Sequence, residues 1–245
     1  LQGTQGVNLV CRILPYRENS SAPPKPHPRY RVRSIHYRSG DGYDLPLRRS
    51  VLAENTVVKA GEWFSASDLQ RTYNNFARLG AVRYTNITFR EDTLHNLDTD
   101  IRLSMRKPNT IAFQPEGTNT AGDFGAAATL TYQNRNLFRG SELLSIELRG
   151  AFEAIKGLEG YERGDYEEYG VEARFQMPRL MTPFLSRKGR RGSTASTELS
   201  VAWNLQNRPE FHRRVFSAGL KYRWPTRDGR VQYKLDVLDL SYVYM

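Results

Sequence analysis

The sequence predicts a small α+β domain followed by a run of antiparallel strands suited to a transmembrane β-barrel, with the barrel incomplete in this chain. Residues 29–107 combine strand and helix patterns, whereas residues 109–245 alternate apolar and polar residues with a period of two. Hydrophobic residues make up 39% of the 245 residues, which is too many for a disordered chain. No run of about 18 apolar residues marks a membrane helix.

Residues 1–28 are predicted to be the end of a preceding unit and a linker. Val7 to Tyr16 has the composition of a strand that stops at a proline, and residues 17–28 contain four prolines, typical of a stiff, extended segment. Cys11 is the single cysteine, so no internal disulfide or cysteine-based zinc site is expected, and we interpret it as a packed strand residue. Because the chain starts at Leu1 without a signal peptide, we expect an N-terminal part of a longer protein to be missing.

Residues 29–107 are predicted to fold as β-α-α-β-β. Strand patterns cover 30–38, 82–90 and 97–106, and a short helix pattern covers 46–55 with Leu47, Val51 and Leu52 on one side. In the last strand one face is predicted to be wet, because Thr99, Ile101, Leu103 and Met105 alternate with Asp98, Asp100, Arg102 and Ser104.

The second helix of this domain has the clearest signals. Ser65 is a suitable N-cap, and Asp68 three residues later completes a capping-box pattern. Gly80 stands where a left-handed helix end is expected. The residues with the spacing of one buried helix face are Leu69, Tyr73, Phe76 and Ala77.

Residues 108–245 are predicted to hold about seven barrel strands. The alternating segments are about 10 residues long, the length that a tilted strand needs to cross a bilayer, and aromatic residues gather at their ends. A break in phase at Val237–Leu238 predicts a bulge. The residues expected to face lipid are Phe124, Leu130, Leu148, Val171, Val201 and Leu220. Those expected to face a wet lumen are Glu147, Arg149, Glu153, Glu172, Arg174, Lys221 and Arg223.

The connections between these strands differ in length. Residues 134–141 and 226–230 read as short turns, and residues 156–168 as a longer polar loop. By parity, the long segment 177–195 is expected on the same side of the sheet as the 134–141 turn.

The first strand, 109–118, is predicted to lie at an edge because proline cannot donate to a hydrogen-bond ladder. Pro115 and Gly117 should make it pair weakly on at least one side, as a frayed first strand or as a seam that opens. The candidate pairing edge for an incoming strand consists of Thr110, Ile111, Ala112, Phe113, Gln114, Pro115 and Gly117.

Residues 132–142, which read Tyr-Gln-Asn-Arg-Asn-Leu-Phe-Arg-Gly-Ser-Glu, resemble a turn of the BamA/TamA-type outer-membrane assembly family. In that family a final POTRA domain leads into a barrel whose second and third strands flank an Asn-x-Asn-Leu-Phe-x-Gly turn. The helix and turn from Asp68 to Tyr84 are similar to the POTRA pattern. The Arg-Gly-Phe/Tyr tripeptide of the family's late external loop does not occur in this sequence.

The resemblance implies a POTRA domain at 29–107 and the first strands of an outer-membrane barrel at 108–245. It implies a bacterial outer-membrane protein with its POTRA domain in the periplasm. Such a protein inserts or translocates client outer-membrane proteins by strand pairing at a weak barrel seam, with clients or accessory subunits docked on the POTRA domain. Its other partner is the lipid bilayer.

Two alternatives remain open at the level of the sequence. A two-partner-secretion pore has the same architecture but serves a single dedicated client. A soluble all-β binding protein with a small α/β domain also explains the alternation, because soluble antiparallel sheets alternate in the same way.

Enzymatic chemistry and nucleic-acid binding are not expected. The four histidines are scattered, and the sequence has no Gly-x-Ser-x-Gly motif and no phosphate-binding glycine loop, so no catalytic, cofactor or metal site is predicted. The net charge is +10, but the arginines are spread along the chain and cluster only at 187–191. We interpret that cluster as a solvated turn, which in a membrane barrel would meet anionic lipid headgroups.

Overall fold

A computed structural model describes residues 14–17, 19, 21–42, 44–120, 123–155, 164–181, 195–208, 211–226 and 230–245. Cys11, most of the predicted strand at 7–16, and the basic segment 187–191 lie outside this range. The part of the predicted linker that is described does not run straight. Tyr16 and Lys25 form an antiparallel bridge through two backbone hydrogen bonds of 3.1 and 2.9 Å, so the chain folds back on itself between them.

The α+β region has the predicted element order. It consists of β1 (Arg31–Ser39), α1 (Arg49–Asn55), α2 (Ala66–Ala77), β2 (Val82–Glu91) and β3 (Asn96–Met105). Strand β3 lies in the middle of a three-stranded sheet, parallel to β1 and antiparallel to β2. Both helices contribute to one apolar core with the sheet, whose buried residues include Val51, Leu52, Phe76, Ile87, Ile101 and Leu103. Within the described ranges, neither helix is long and apolar enough to cross a membrane.

Helix α2 confirms its predicted start and corrects its predicted end. The Ser65 side chain accepts a hydrogen bond from the Asp68 N–H at 3.4 Å. Gly80 is not left-handed, because the helix ends at Arg78 in the right-handed conformation and the Val82 N–H bonds to the Leu79 carbonyl, which turns the chain directly into β2.

The buried face of α2 also differs from the prediction at one position. Ala77 is exposed, whereas Thr72 is fully buried. The Thr72 hydroxyl donates to the Asp68 carbonyl at 2.8 Å and accepts from the Val57 N–H at 3.0 Å. A polar side chain is therefore stable at this core position, because its hydrogen-bonding groups are used.

On β3 the predicted wet face is only partly wet. Thr99, Ile101 and Leu103 are buried as expected, but Asp100 on the opposite face is also buried. Two arginines cover it: the Arg38 Nε lies 3.2 Å and the Arg102 Nη2 lies 3.4 Å from the Asp100 carboxylate.

The second sheet contains the seven strands that the sequence predicts. They are β4 (Asn109–Thr120), β5 (Asp123–Asn134), β6 (Leu143–Ile155), β7 (Gly164–Met177), β8 (Ser196–Asn207), β9 (His212–Pro225) and β10 (Gln232–Tyr244). All neighbours are antiparallel in the order β10-β9-β8-β7-β6-β5-β4, and this sheet is open, with β4 and β10 as its edges. The strands have 12–14 residues, longer than predicted. The predicted bulge is confirmed by a register shift between Asp236 and Leu238.

The antiparallel order places the connections on two sides. The β5–β6, β7–β8 and β9–β10 connections share the side on which residues 106–108 link the α+β region to β4. Strand β7 therefore ends, and β8 begins, on the same side of the sheet as the 134–141 turn, as predicted, while residues 182–194 of the connecting segment lie outside the described residues. The β6–β7 connection is on the other side and is shorter than expected, since β7 already begins at Gly164.

Candidate membrane face and strand-pairing edge

One face of the seven-stranded sheet is apolar and exposed across every strand. The cross-strand register aligns Phe113, Leu130, Leu148, Val171, Trp203, Phe216 and Tyr242 in one continuous row. Each of these side chains is at least 40% exposed. Contiguous apolar surfaces of this extent are rare on soluble monomers and typical of protein or membrane contacts. The register places all six residues that were predicted to face lipid on this face.

Aromatic pairs mark the end of this face nearest the α+β region. Trp224 and Tyr233 stack at a centroid distance of 5.7 Å, and Phe138 in the β5–β6 turn meets Phe175 edge-on at 6.1 Å. At the opposite end charged residues interrupt the face, with Glu167 on β7 and Arg214 on β9. An apolar band with aromatic and polar limits is the pattern of a strand wall that crosses a bilayer.

The other face of the sheet is polar and charged. The register places all seven predicted lumen-facing residues on it. The four basic residues of this set form ion pairs: Arg149, Arg174, Lys221 and Arg223 pair with Glu116, Glu172, Asp236 and Glu198, respectively. Glu147 and Glu172, two carboxylates, lie directly opposite each other.

Three of these acidic partners, Glu116, Asp236 and Glu198, were not among the residues predicted to face the lumen. Glu198 is the most buried of them, with 10% of its side chain exposed, and its Oε2 lies 2.9 Å from the Arg223 Nη1. The alternation contained the signal, because Glu198 occupies a polar position on the strand that neighbours Arg223. A second network links Tyr166, Glu168, Asn204 and Gln206 through hydrogen bonds of 2.5–2.9 Å. In the part of the chain that is described, no group of three or more His, Cys, Asp or Glu residues is arranged to hold a metal ion.

Strand β4 is an edge strand that pairs with β5 over its full length, from Asn109–Asn134 to Thr120–Asp123. The direction of its backbone groups follows from one hydrogen bond, in which the Arg135 N–H donates to the Pro108 carbonyl at 2.8 Å. In an antiparallel ladder, hydrogen-bonded and non-hydrogen-bonded pairs alternate. The backbone groups of Thr110, Ala112 and Gln114 therefore point towards β5.

The alternate residues of β4 direct their backbone groups towards the free edge. The predicted pairing set is thus divided, and Ile111, Phe113, Pro115 and Gly117 form its outward half. This identifies the side of β4 on which Pro115 weakens pairing. Its missing N–H lies on the outward side, so it removes a donor from the free edge and leaves the ladder with β5 intact.

No protein-family model and no curated protein matches the sequence. Matching solved structures include BamA from Haemophilus ducreyi lacking POTRA domains 1–3, at 12% identity and a TM-score of 0.39, with 85% of this chain and 48% of that chain covered. They also include CdiB from Acinetobacter baumannii, at 13% identity and a TM-score of 0.43, with 87% of this chain and 48% of that chain covered. The chain spans about half the length of both.

Proposed function

We propose that this chain is part of a non-enzymatic outer-membrane protein that inserts or translocates other proteins, with β4 as the strand that pairs with the client. The observation that carries the proposal is an edge strand with outward backbone groups, set in a sheet that has one exposed apolar face and one charged face. In this proposal the apolar face contacts lipid, the charged face lines a wet lumen, and the α+β region is a periplasmic POTRA domain.

Strand addition explains how one edge accepts many client sequences. The outward N–H groups of Ile111, Phe113 and Gly117 and the neighbouring carbonyls bind any extended backbone, which requires little of the client side chains. The client strand continues the face pattern of the sheet. Its residues opposite Ile111 and Phe113 lie on the lipid side and are apolar, and those between them are polar.

The edge strand also has the shorter apolar stripe. On β4 the stripe runs from Ile111 to Gly117, about 20 Å along the strand, or about 15 Å along the barrel axis for a tilt of about 40°. On β6 it runs from Leu144 to Ala154, about 33 Å along the strand and about 25 Å along the axis. A bilayer that matches both strands is thinner beside β4, which lowers the barrier to insertion there.

The α+β region offers a second edge for clients or accessory subunits. In its sheet β2 is an open edge, whereas the start of β1 is already covered by residues 61–64. The Val32 N–H bonds to the Glu62 carbonyl at 2.9 Å, and the Gly61 N–H bonds to the Val32 carbonyl at 2.7 Å. We therefore assign docking on this domain to β2.

The proposal is tested by locking the seam in the intact protein. Single cysteines are placed at Ala112 and Gln114, each with a cysteine on the strand that closes the barrel, and Cys11→Ser prevents mispairing. These two positions suit a disulfide, because residues that bond to β5 form the closer, non-hydrogen-bonded pairs with a strand on the other side. Oxidation is expected to leave the fold intact and to stop client insertion, and reduction is expected to restore it.

The matched control is a disulfide between Val201→Cys and Ala218→Cys, which face each other on the inner strands β8 and β9. This lock leaves the edge free and should not change activity. If the seam-locked protein inserts clients at the normal rate, the edge-pairing proposal is wrong. Unimpaired passage of one dedicated client through the locked barrel would favour the two-partner-secretion pore.

A further inference from the structure

We propose that the turn between β5 and β6, residues 136–142, is a latch that fixes the α+β domain in one orientation against the seven-stranded sheet. Arg48 and Glu142 are its positioning residues. The latch is a property of the fold, and the inference does not depend on whether β4 pairs with a client.

The centre of the latch is a buried carboxylate. Glu142 is only 2% exposed. Its Oε2 accepts the Gly140 N–H at 2.9 Å and the Phe138 N–H at 3.3 Å, and its Oε1 accepts from the Arg48 Nη2 at 2.7 Å. Two donors come from the turn itself, and the positive charge comes from the α+β domain. Because a buried carboxylate without its counter-charge is strongly unfavourable, separating the two bodies is opposed at this point.

Three further hydrogen bonds join the turn to two different loops of the domain. Before α1, the Arg48 N–H donates to the Arg139 carbonyl at 2.8 Å, and the Pro46 carbonyl accepts from the Asn136 Nδ2 at 2.7 Å. After α2, the buried Ala81 N–H donates to the Ser141 hydroxyl at 2.9 Å. Contacts to two separate loops prevent rotation as well as translation of the turn.

The backbone of the turn is shaped for this contact. Arg139 and Ser141 have φ angles of 58° and 62°, in the left-handed region that side-chain-bearing residues rarely adopt. A Cβ atom at Gly140 would overlap the Arg48 guanidinium and the Glu142 carboxylate. Unfavourable backbone conformations persist where the surroundings fix them, and the docked domain supplies those surroundings.

The α+β domain is attached to the seven-stranded sheet at two points, and this restricts its motion. Residues 106–108 join the domain to the start of β4, and this single covalent link would act as a hinge. The latch adds a second attachment one hairpin further along the sheet. The base of β4 is held as well, since the Asn134 Nδ2 bonds to the Asn109 Oδ1 at 2.8 Å. The domain and strands β4–β6 therefore move as one body.

The test is a distance measurement between spin labels in the intact protein. Labels at Thr88→Cys on the domain and Arg213→Cys at the far end of β9 occupy exposed positions, in a Cys11→Ser background. The parent should give one narrow distance distribution. Arg48→Ala removes the charged tie between the bodies, leaves the Glu142 carboxylate without its counter-charge and keeps both turn-internal bonds of Glu142, so it should at least double the width of the distribution. Arg48→Lys, which restores the charge, should narrow it again.

A matched control is Glu62→Gln, which breaks an exposed ion pair with Lys59 elsewhere on the domain and should leave the distribution narrow. Glu142→Ala should broaden the distribution as Arg48→Ala does, provided that its circular dichroism shows a folded sheet. The Arg48 side chain is partly exposed in the parent. If Arg48→Ala gives a distance distribution as narrow as that of the parent, the latch does not hold the domain and the inference is wrong.

Discussion

Leu148→Arg tests which face of the sheet contacts lipid. Leu148 lies between Leu130 and Val171 on the apolar face. It is four residues from Leu144, where the β6 stripe begins, which is about 10 Å along the barrel axis for a strand rise of about 3.3 Å and a tilt of about 40°. A band about 25 Å tall then has Leu148 near its middle. An arginine there should destabilise the protein by about 2–4 kcal/mol.

The assay is reversible denaturant unfolding of the intact protein in phospholipid vesicles. Glu147→Arg is the matched control, because it introduces the same side chain one residue away on the charged face. The new arginine lies opposite the Glu172 carboxylate on the neighbouring strand, and the variant should lose less than about 1 kcal/mol of stability. Equal losses for the two variants would refute the assignment of faces. A loss confined to Glu147→Arg would reverse it.

Two further predictions concern the α+β domain. The fragment 29–107 should fold alone and melt cooperatively when followed by circular dichroism. Phe76 is fully buried, so Phe76→Ala should destabilise the fragment by about 3–5 kcal/mol. A random-coil spectrum of the unsubstituted fragment would contradict the domain boundary. Hydrogen bonds from Arg33 and Ser34 lower the pKa of Asp98 to about 2, below its unfolded value, so this stabilisation is present above about pH 4 and is lost as the pH falls towards 2. The melting temperature of the parent should therefore fall more steeply between pH 4 and pH 2 than that of Asp98→Asn, and parallel curves would contradict the assignment.

The strands and their faces could be predicted because a period of two is a local signal. Each alternating segment carries its own division into apolar and polar sides, and antiparallel neighbours keep that division across the sheet. The phase break at Val237–Leu238 was readable for the same reason, since one extra residue shifts every later side chain to the other face. The order β-α-α-β-β followed from the capped helix and the strands around it.

The features that the sequence did not reveal depend on contacts between distant residues. Glu142 lies 94 positions from Arg48, and nothing in its local pattern indicates a buried carboxylate. Thr72 is buried because Val57 donates a hydrogen bond to it across the domain. Tyr16 pairs with Lys25 within a proline-rich segment whose composition indicated an extended chain. In each case the observed structure depends on a partner residue that the local sequence pattern does not identify.

Composition also cannot show which side of a strand a backbone N–H faces, and Pro115 is the example in this chain. A proline in a strand removes one donor, but only the ladder parity determines whether that donor belongs to the inner or the outer side. Here the parity assigns it to the outer side, so Pro115→Ala should add one N–H to the free edge. In the intact barrel this should strengthen the closing pair by about 1 kcal/mol, the net value of one hydrogen bond.

Amide hydrogen exchange of the intact barrel distinguishes the two sides. With Pro115→Ala, the outward amides of Ile111 and Phe113 should exchange more slowly, while the amides of Ala112 and Gln114, which bond to β5, should be unchanged. The control Gln114→Ala adds no donor and should leave the outward amides as they are. Slower exchange at Ala112 instead would mean that proline weakens the ladder with β5. The edge of β4 would then be an ordinary frayed strand, and its proline would have no part in keeping a seam ready to open.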